Sequence, residues 1–69
     1  MCLAIPMKIV KIKGTEALVK TDGLERRANI SFIKNPKVGD YVIVHAGFAM
    51  ERVKAAEAKK TIRILKEVL

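Results

Sequence analysis

Tryptophan is absent from this chain, and only Phe32, Tyr41 and Phe48 supply aromatic rings. A groove that grips single-stranded nucleic acid stacks bases on several exposed rings, and two of these three sit in runs that read as buried. One cysteine, Cys2, cannot close an internal disulfide, which fits a reducing compartment. One histidine, His45, and seven scattered acidic residues provide neither a metal-finger spacing nor paired carboxylates on one element. There is no glycine-rich phosphate loop and no apolar run long enough to cross a bilayer. Pro6 and Lys8 interrupt the first stretch before a secretory signal forms. These absences argue against an enzyme with its own pocket and against a membrane protein, and the expected location is the cytoplasm.

What is present is a short, basic chain. Its 69 residues suffice for a single domain, which buries only about 60% of its unfolded surface and has a correspondingly small core. Fourteen lysines and arginines stand against seven acids, a formal charge of +7. Such an excess suits nucleic acid, an anionic membrane or an acidic protein surface.

Strand periodicity dominates. Leu3, Ile5, Met7 and Ile9 alternate with Ala4, Pro6 and Lys8, so the odd positions are expected inside and the even ones, Cys2 among them, outside. Pro6 has no N–H for a ladder and implies an edge or a break in pairing. The adjacent Ile9 and Val10 break the alternation and suggest a bulge or a segment covered on both faces. Gly14 supplies a turn, and Glu16 to Thr21 forms a second strand. Asp22-Gly23 between two extended runs predicts a type I′ hairpin into a third, polar strand from Leu24 to Ile30, with Arg26 and Arg27 on opposite faces. Residues 35–40 are turn chemistry. Tyr41 to Ala46 is the densest strand signal, apolar on both faces, and Phe48 to Val53 makes a fifth strand after Gly47.

The period then changes. Ala58, Ile62, Leu65 and Leu69 make one helical stripe with Val68 on its flank, while Lys59, Arg63 and Lys66 run down an adjacent side. No Ser, Thr, Asp or Asn stands before Ala55 to cap the helix. The expected architecture is a single domain over 1–69, mainly β: a small five-stranded OB-like β-barrel over 1–53 and a C-terminal amphipathic α-helix over 54–69.

Two residues carry distinctive chemistry. If initiator methionine is trimmed, Cys2 places a thiol beside a free α-amine, and the ammonium favours the thiolate that binds soft metals. The plainer reading is a small apolar residue under the first strand. His45 follows four apolar strand residues at the approach to a bend. Lone histidines in such places are commonly structural, but one brought near Cys2 would provide a second donor. A basic five-stranded barrel also matches an OB-type single-stranded nucleic-acid-binding domain, whose binding would fall steeply with salt.

The opening Met1-Cys2-Leu3-Ala4-Ile5-Pro6, the block from Gly39-Asp40-Tyr41 through Val44-His45-Ala46-Gly47-Phe48-Ala49, and Glu51-Arg52-Val53 before the helix together resemble the HypC/HupF family of [NiFe]-hydrogenase maturation chaperones. The resemblance covers essentially the whole chain. It implies an OB-like barrel that works without catalysis, binding the scaffold protein HypD and the precursor of the hydrogenase large subunit, with other Hyp maturation proteins as further partners. Its cargo would be iron as Fe(CN)2CO, held transiently and only in complex, with no tightly bound cofactor. Neither nucleic acid nor membrane is then expected as a partner. By the same resemblance Cys2 is the iron ligand and His45 a second contributor to the metal site, and Cys2, Leu3, Ala4, Ile5, Pro6 and His45 form the partner contact. The chain departs from the family pattern at Met7, where glycine is frequent, and at Lys54, where an acidic or hydroxyl cap is frequent.

Overall fold

The computed structural model describes residues 5–68, except for the side chains of Lys66 and Val68. Five strands, β1 (Pro6–Lys13), β2 (Glu16–Thr21), β3 (Leu24–Asn29), β4 (Tyr41–His45) and β5 (Phe48–Val53), precede one helix, α1 (Ala55–Val68). The strands close into a barrel in the order β1-β2-β3-β5-β4, all pairs antiparallel except β3 with β5. The expected mainly β barrel with a C-terminal helix is therefore what the chain forms.

Inside the barrel, Ile9, Val19 and Val42 are wholly buried, and the small Ala17, Ala28 and Ala49 fill the gaps between them. A five-stranded barrel has room for little more, so large and small side chains must share the interior. Of the two readings of Ile9-Val10, the bulge is present: the β1–β2 register shifts between Ile9 and Lys11, leaving Val10 unmatched. That extra residue resets the pleat, which is why Ile9 is buried and Ile12 faces the core three positions later. Asp22 and Gly23 have φ of 38° and 84°, the paired positive values of a type I′ turn, and Thr21 lies opposite Leu24.

Three expectations need correction. Pro6, assigned to the outer side, is buried. It pairs with Ile43 of β4 in regular register with Met7, so both faces of the strand are covered at its start, while the β2 register begins only at Lys8. The alternation thus starts at Met7 and assigns no face to Cys2. The fourth strand ends at His45, because Ala46 turns away with φ of 53°. Phe48, in a run that read as buried, is 40% exposed.

The long connection from Ile30 to Asp40 is tied down by backbone and side chain together. Gly39 N–H donates to the Ile9 carbonyl and Ile9 N–H to the Asp40 carbonyl, both at 2.8 Å, so residues 39 and 40 extend the β1–β4 ladder. Gly39 does this at φ of 101°, a conformation open to glycine. Arg52 of β5 reaches back to donate to the carbonyls of Lys34 at 2.7 Å and Asn35 at 3.0 Å, and pairs with the Asp40 carboxylate at 3.1 Å. Asp40 also accepts from Lys37 N–H at 2.9 Å.

The helix buries Ala58 and half-buries Ile62 and Leu65, the expected stripe, and packs chiefly on β1. Leu69 lies outside the described residues. The Lys54 carbonyl accepts the first helical bond from Ala58 N–H at 2.9 Å, with Glu57 in the first turn suiting the helix dipole. The Lys54 side chain has no acceptor atom, so it cannot cap the N-terminal N–H groups.

Arg52→Met keeps much of the aliphatic stem and removes the guanidinium. It should lower unfolding stability by about 1 kcal/mol, since the bonds are charge-assisted but the group is partly solvated. Urea denaturation measures this, and an unchanged midpoint would mean the connection is held by its backbone bonds alone.

Candidate functional site

His45 is the last residue of β4 and is exposed. Its Cα partner is Phe48, the first residue of β5, across a two-residue turn. Ala46 and Gly47 in that turn have φ of 53° and 84°, so the chain contains a second type I′ hairpin. Sequence inspection saw only a bend at Gly47, because alanine lacks the Asn, Asp or Gly signature of the first turn position.

The turn is anchored to the rest of the barrel. Asn29 N–H donates to the Gly47 carbonyl at 2.8 Å, and Asn29 is also the Cα partner of Phe48 in the parallel β3–β5 contact. The Asn29 side-chain carbonyl accepts from Ser31 N–H at 2.8 Å and from the Ser31 hydroxyl. This local turn directs the chain so that Phe32 lands on Phe48, with ring centroids 5.5 Å apart and planes tilted by 39°. Phe32 is 62% exposed, so an open aromatic ledge stands beside His45. Its signal in the sequence is weak: Phe32 falls in the connection after the third strand, and only the pairing of residue 45 with residue 48 across a tight turn brings Phe48 near His45.

The other half of the expected site comes from β1. Pro6 pairs with Ile43, Met7 with Val42 and Lys8 with Tyr41. The two strands are antiparallel, so β1 starts where β4 ends, at the end of the barrel that carries His45. Ile5 is half-buried and Pro6 buried at this entry. Cys2, Leu3 and Ala4, the remaining expected site residues, lie outside the described residues. The structure thus brings Ile5, Pro6 and His45 to one end of the barrel and leaves the Cys2 to His45 distance undefined.

Among the described residues, no three of His, Cys, Asp and Glu gather as metal ligands. Two surface hollows of about 340 and 430 Å³ lie away from His45. One is lined by Lys11, Lys13, Glu16, Ala17, Leu18 and Arg27, and the other lies between β1, the β2–β3 turn, Tyr41 and Ile62. No helix among the described residues is long and apolar enough to cross a membrane.

Comparison with known proteins gives a consistent result. The sequence model of the HupF/HypC family matches residues 1–65. Hydrogenase maturation factor HypC of Azotobacter chroococcum is 41% identical over 69 residues, covering 99% of this chain and 82% of that protein. The proteins of the same name from Cupriavidus necator and Escherichia coli K12 are 35% and 34% identical, covering 99% of this chain and 77% and 82% of their own lengths.

Alanine at positive φ is strained where asparagine is tolerated. Ala46→Asn should therefore raise stability by about 0.5–1 kcal/mol, and Gly47→Ala should lower it by about 1 kcal/mol or more. Chemical denaturation of the two variants reads both signs, and a destabilised Ala46→Asn would contradict the turn assignment.

Proposed function

The chain belongs to the HupF/HypC family, and we propose that it acts as a non-catalytic chaperone that binds HypD and the precursor of a [NiFe]-hydrogenase large subunit. In that role it helps assemble the Fe(CN)2CO unit and hand it on. Its place in hydrogenase maturation follows from membership, since the relatives are hydrogenase maturation factors. The setting is the cytoplasm, and other Hyp maturation proteins are further partners.

The supporting observation is the β1–β4 register. With Pro6 opposite Ile43, the chain enters the barrel two residues from His45 on the neighbouring strand. Three peptide units cannot carry Cys2 further than roughly 11 Å from Ile5. That reach supports the reading that Cys2 and His45 act at the same end of the barrel.

The chemistry suits the cargo. A thiolate is a soft ligand, matched to an iron already bearing cyanide and carbonyl, and its affinity depends on the thiol being deprotonated. His45 adds an exposed imidazole as a second donor or as a contact to the partner. The iron is carried rather than kept: the complex completes its coordination, and exchange of the Cys2 thiolate for an acceptor ligand releases it. Ile5 and Pro6 anchor the stretch, while Leu3, Ala4 and the Phe32–Phe48 ledge supply apolar surface for the partners.

Cys2→Ala should fold with an unchanged thermal midpoint and fail to capture either HypD or the large-subunit precursor in a pull-down. His45→Ala should capture both more weakly. Full hydrogenase maturation supported by Cys2→Ala would sink the proposal.

A further inference from the structure

The β3 strand is paired on one side only for most of its length. It meets β2 at every position from Leu24 to Asn29, but meets β5 at Asn29 alone. One residue beyond that contact, β5 changes register against β4 between Ile43 and Val44, which leaves Met50 as an extra residue and re-aims the strand. From Leu24 to Ala28 no backbone bond among the described residues leaves β3 toward β5.

The hairpin geometry decides which groups face that open side. A two-residue turn closes on a hydrogen-bonded pair, here Thr21 and Leu24, and bonded and non-bonded pairs alternate from there. Leu24, Arg26 and Ala28 bond to β2, so the N–H and C=O groups of Glu25 and Arg27 point outward. The same phase puts the Asn29 N–H outward, and it does reach the Gly47 carbonyl at 2.8 Å. The outward groups of Glu25 and Arg27 thus continue the line along which the barrel makes its one parallel contact.

The side chains along this edge are Leu24, Glu25, Arg26 and Arg27, all exposed. Neither arginine makes an ion pair with a described residue. Arg26 and Arg27 lie on opposite faces of the strand, and Lys11 and Lys13 stand behind Arg27 across the outer hollow. Two arginines meeting two arginines would oppose pairing of this edge with a second copy. Glu25 would repel a phosphate backbone, which is charged at every step, whereas a peptide can set a neutral residue opposite it. The geometry points to β3 as a docking edge for an extended, acidic segment of a partner protein, which adds a strand through Glu25 and Arg27 and is held by Arg26 and Arg27 from both faces. This edge shares none of the residues proposed for iron transfer, and it stands or falls independently of that reading.

The probe is a short end-blocked peptide of glutamate and valine, compared with a thymidine oligonucleotide of equal charge. Amide hydrogen exchange followed by NMR should show new protection at Glu25 and Arg27 on addition of the peptide, with no gain at Leu24, Arg26 and Ala28, already bonded to β2. The double variant Arg26→Glu/Arg27→Glu, whose altered side chains are exposed, should bind the peptide about tenfold more weakly or worse. Four results would overturn the proposal: no binding of the peptide, binding without alternating protection, tighter binding of the oligonucleotide, or full affinity in the double variant. Protection at Glu25 and Arg27 that rises with protein concentration alone would assign the edge to a second copy and overturn it too.

Discussion

The bond from Asn29 N–H to the Gly47 carbonyl, 2.8 Å long, closes the barrel. Every other strand junction is a ladder of several residues, whereas β3 and β5 meet at the single pair Asn29 and Phe48. Gly47 presents its carbonyl to Asn29 because the turn before Phe48 runs through two positive φ values. That one turn therefore joins the sheet around Ala28 and Ala49, sets His45 at the barrel's end, and holds Phe48 where Phe32 covers it. Because the contact is parallel and β5 begins where β3 ends, the rest of β5 runs away from Arg27 and leaves the length of β3 before Asn29 unpaired on that side.

Much of the fold was legible because a period of two and turn chemistry are local properties. The second strand, the Asp22-Gly23 hairpin, the fifth strand and the bulge after Ile9 occur where the alternation and the turn residues place them. What was not legible is non-local or locally atypical. The reach of Arg52 to carbonyls seventeen and eighteen positions earlier leaves no periodic trace. The turn at Ala46 hides behind a residue that pays for positive φ with strain. Pro6 is buried beside buried Met7, because alternation assigns a residue to a face and leaves open what covers that face. Phe48 read as core from its run, yet its exposure depends on the chain geometry at the hairpin it opens.

The functional stretch shows the same division. A resemblance spread over two motifs carried the family, and the family match over residues 1–65 agrees with it. The register adds what the motifs lack, a spatial reason for their pairing: the first motif enters β1 beside the end of β4, where the second motif turns. Pro6, at the end of the first motif, pairs with Ile43, two residues before His45 in the second. The Phe32–Phe48 ledge and the arginine-bearing β3 edge give one small barrel two chemically different exposed surfaces.

The central claim is that Cys2 holds the iron at the His45 end of the barrel. Infrared spectroscopy of the chain isolated in complex with HypD, compared between wild type and Cys2→Ser, tests it most directly, because bound cyanide and carbon monoxide have stretching bands in a window clear of protein absorption. Those bands should accompany the wild-type complex and be lost or shifted with Cys2→Ser. Bands of unchanged position and intensity in the variant complex would contradict the claim.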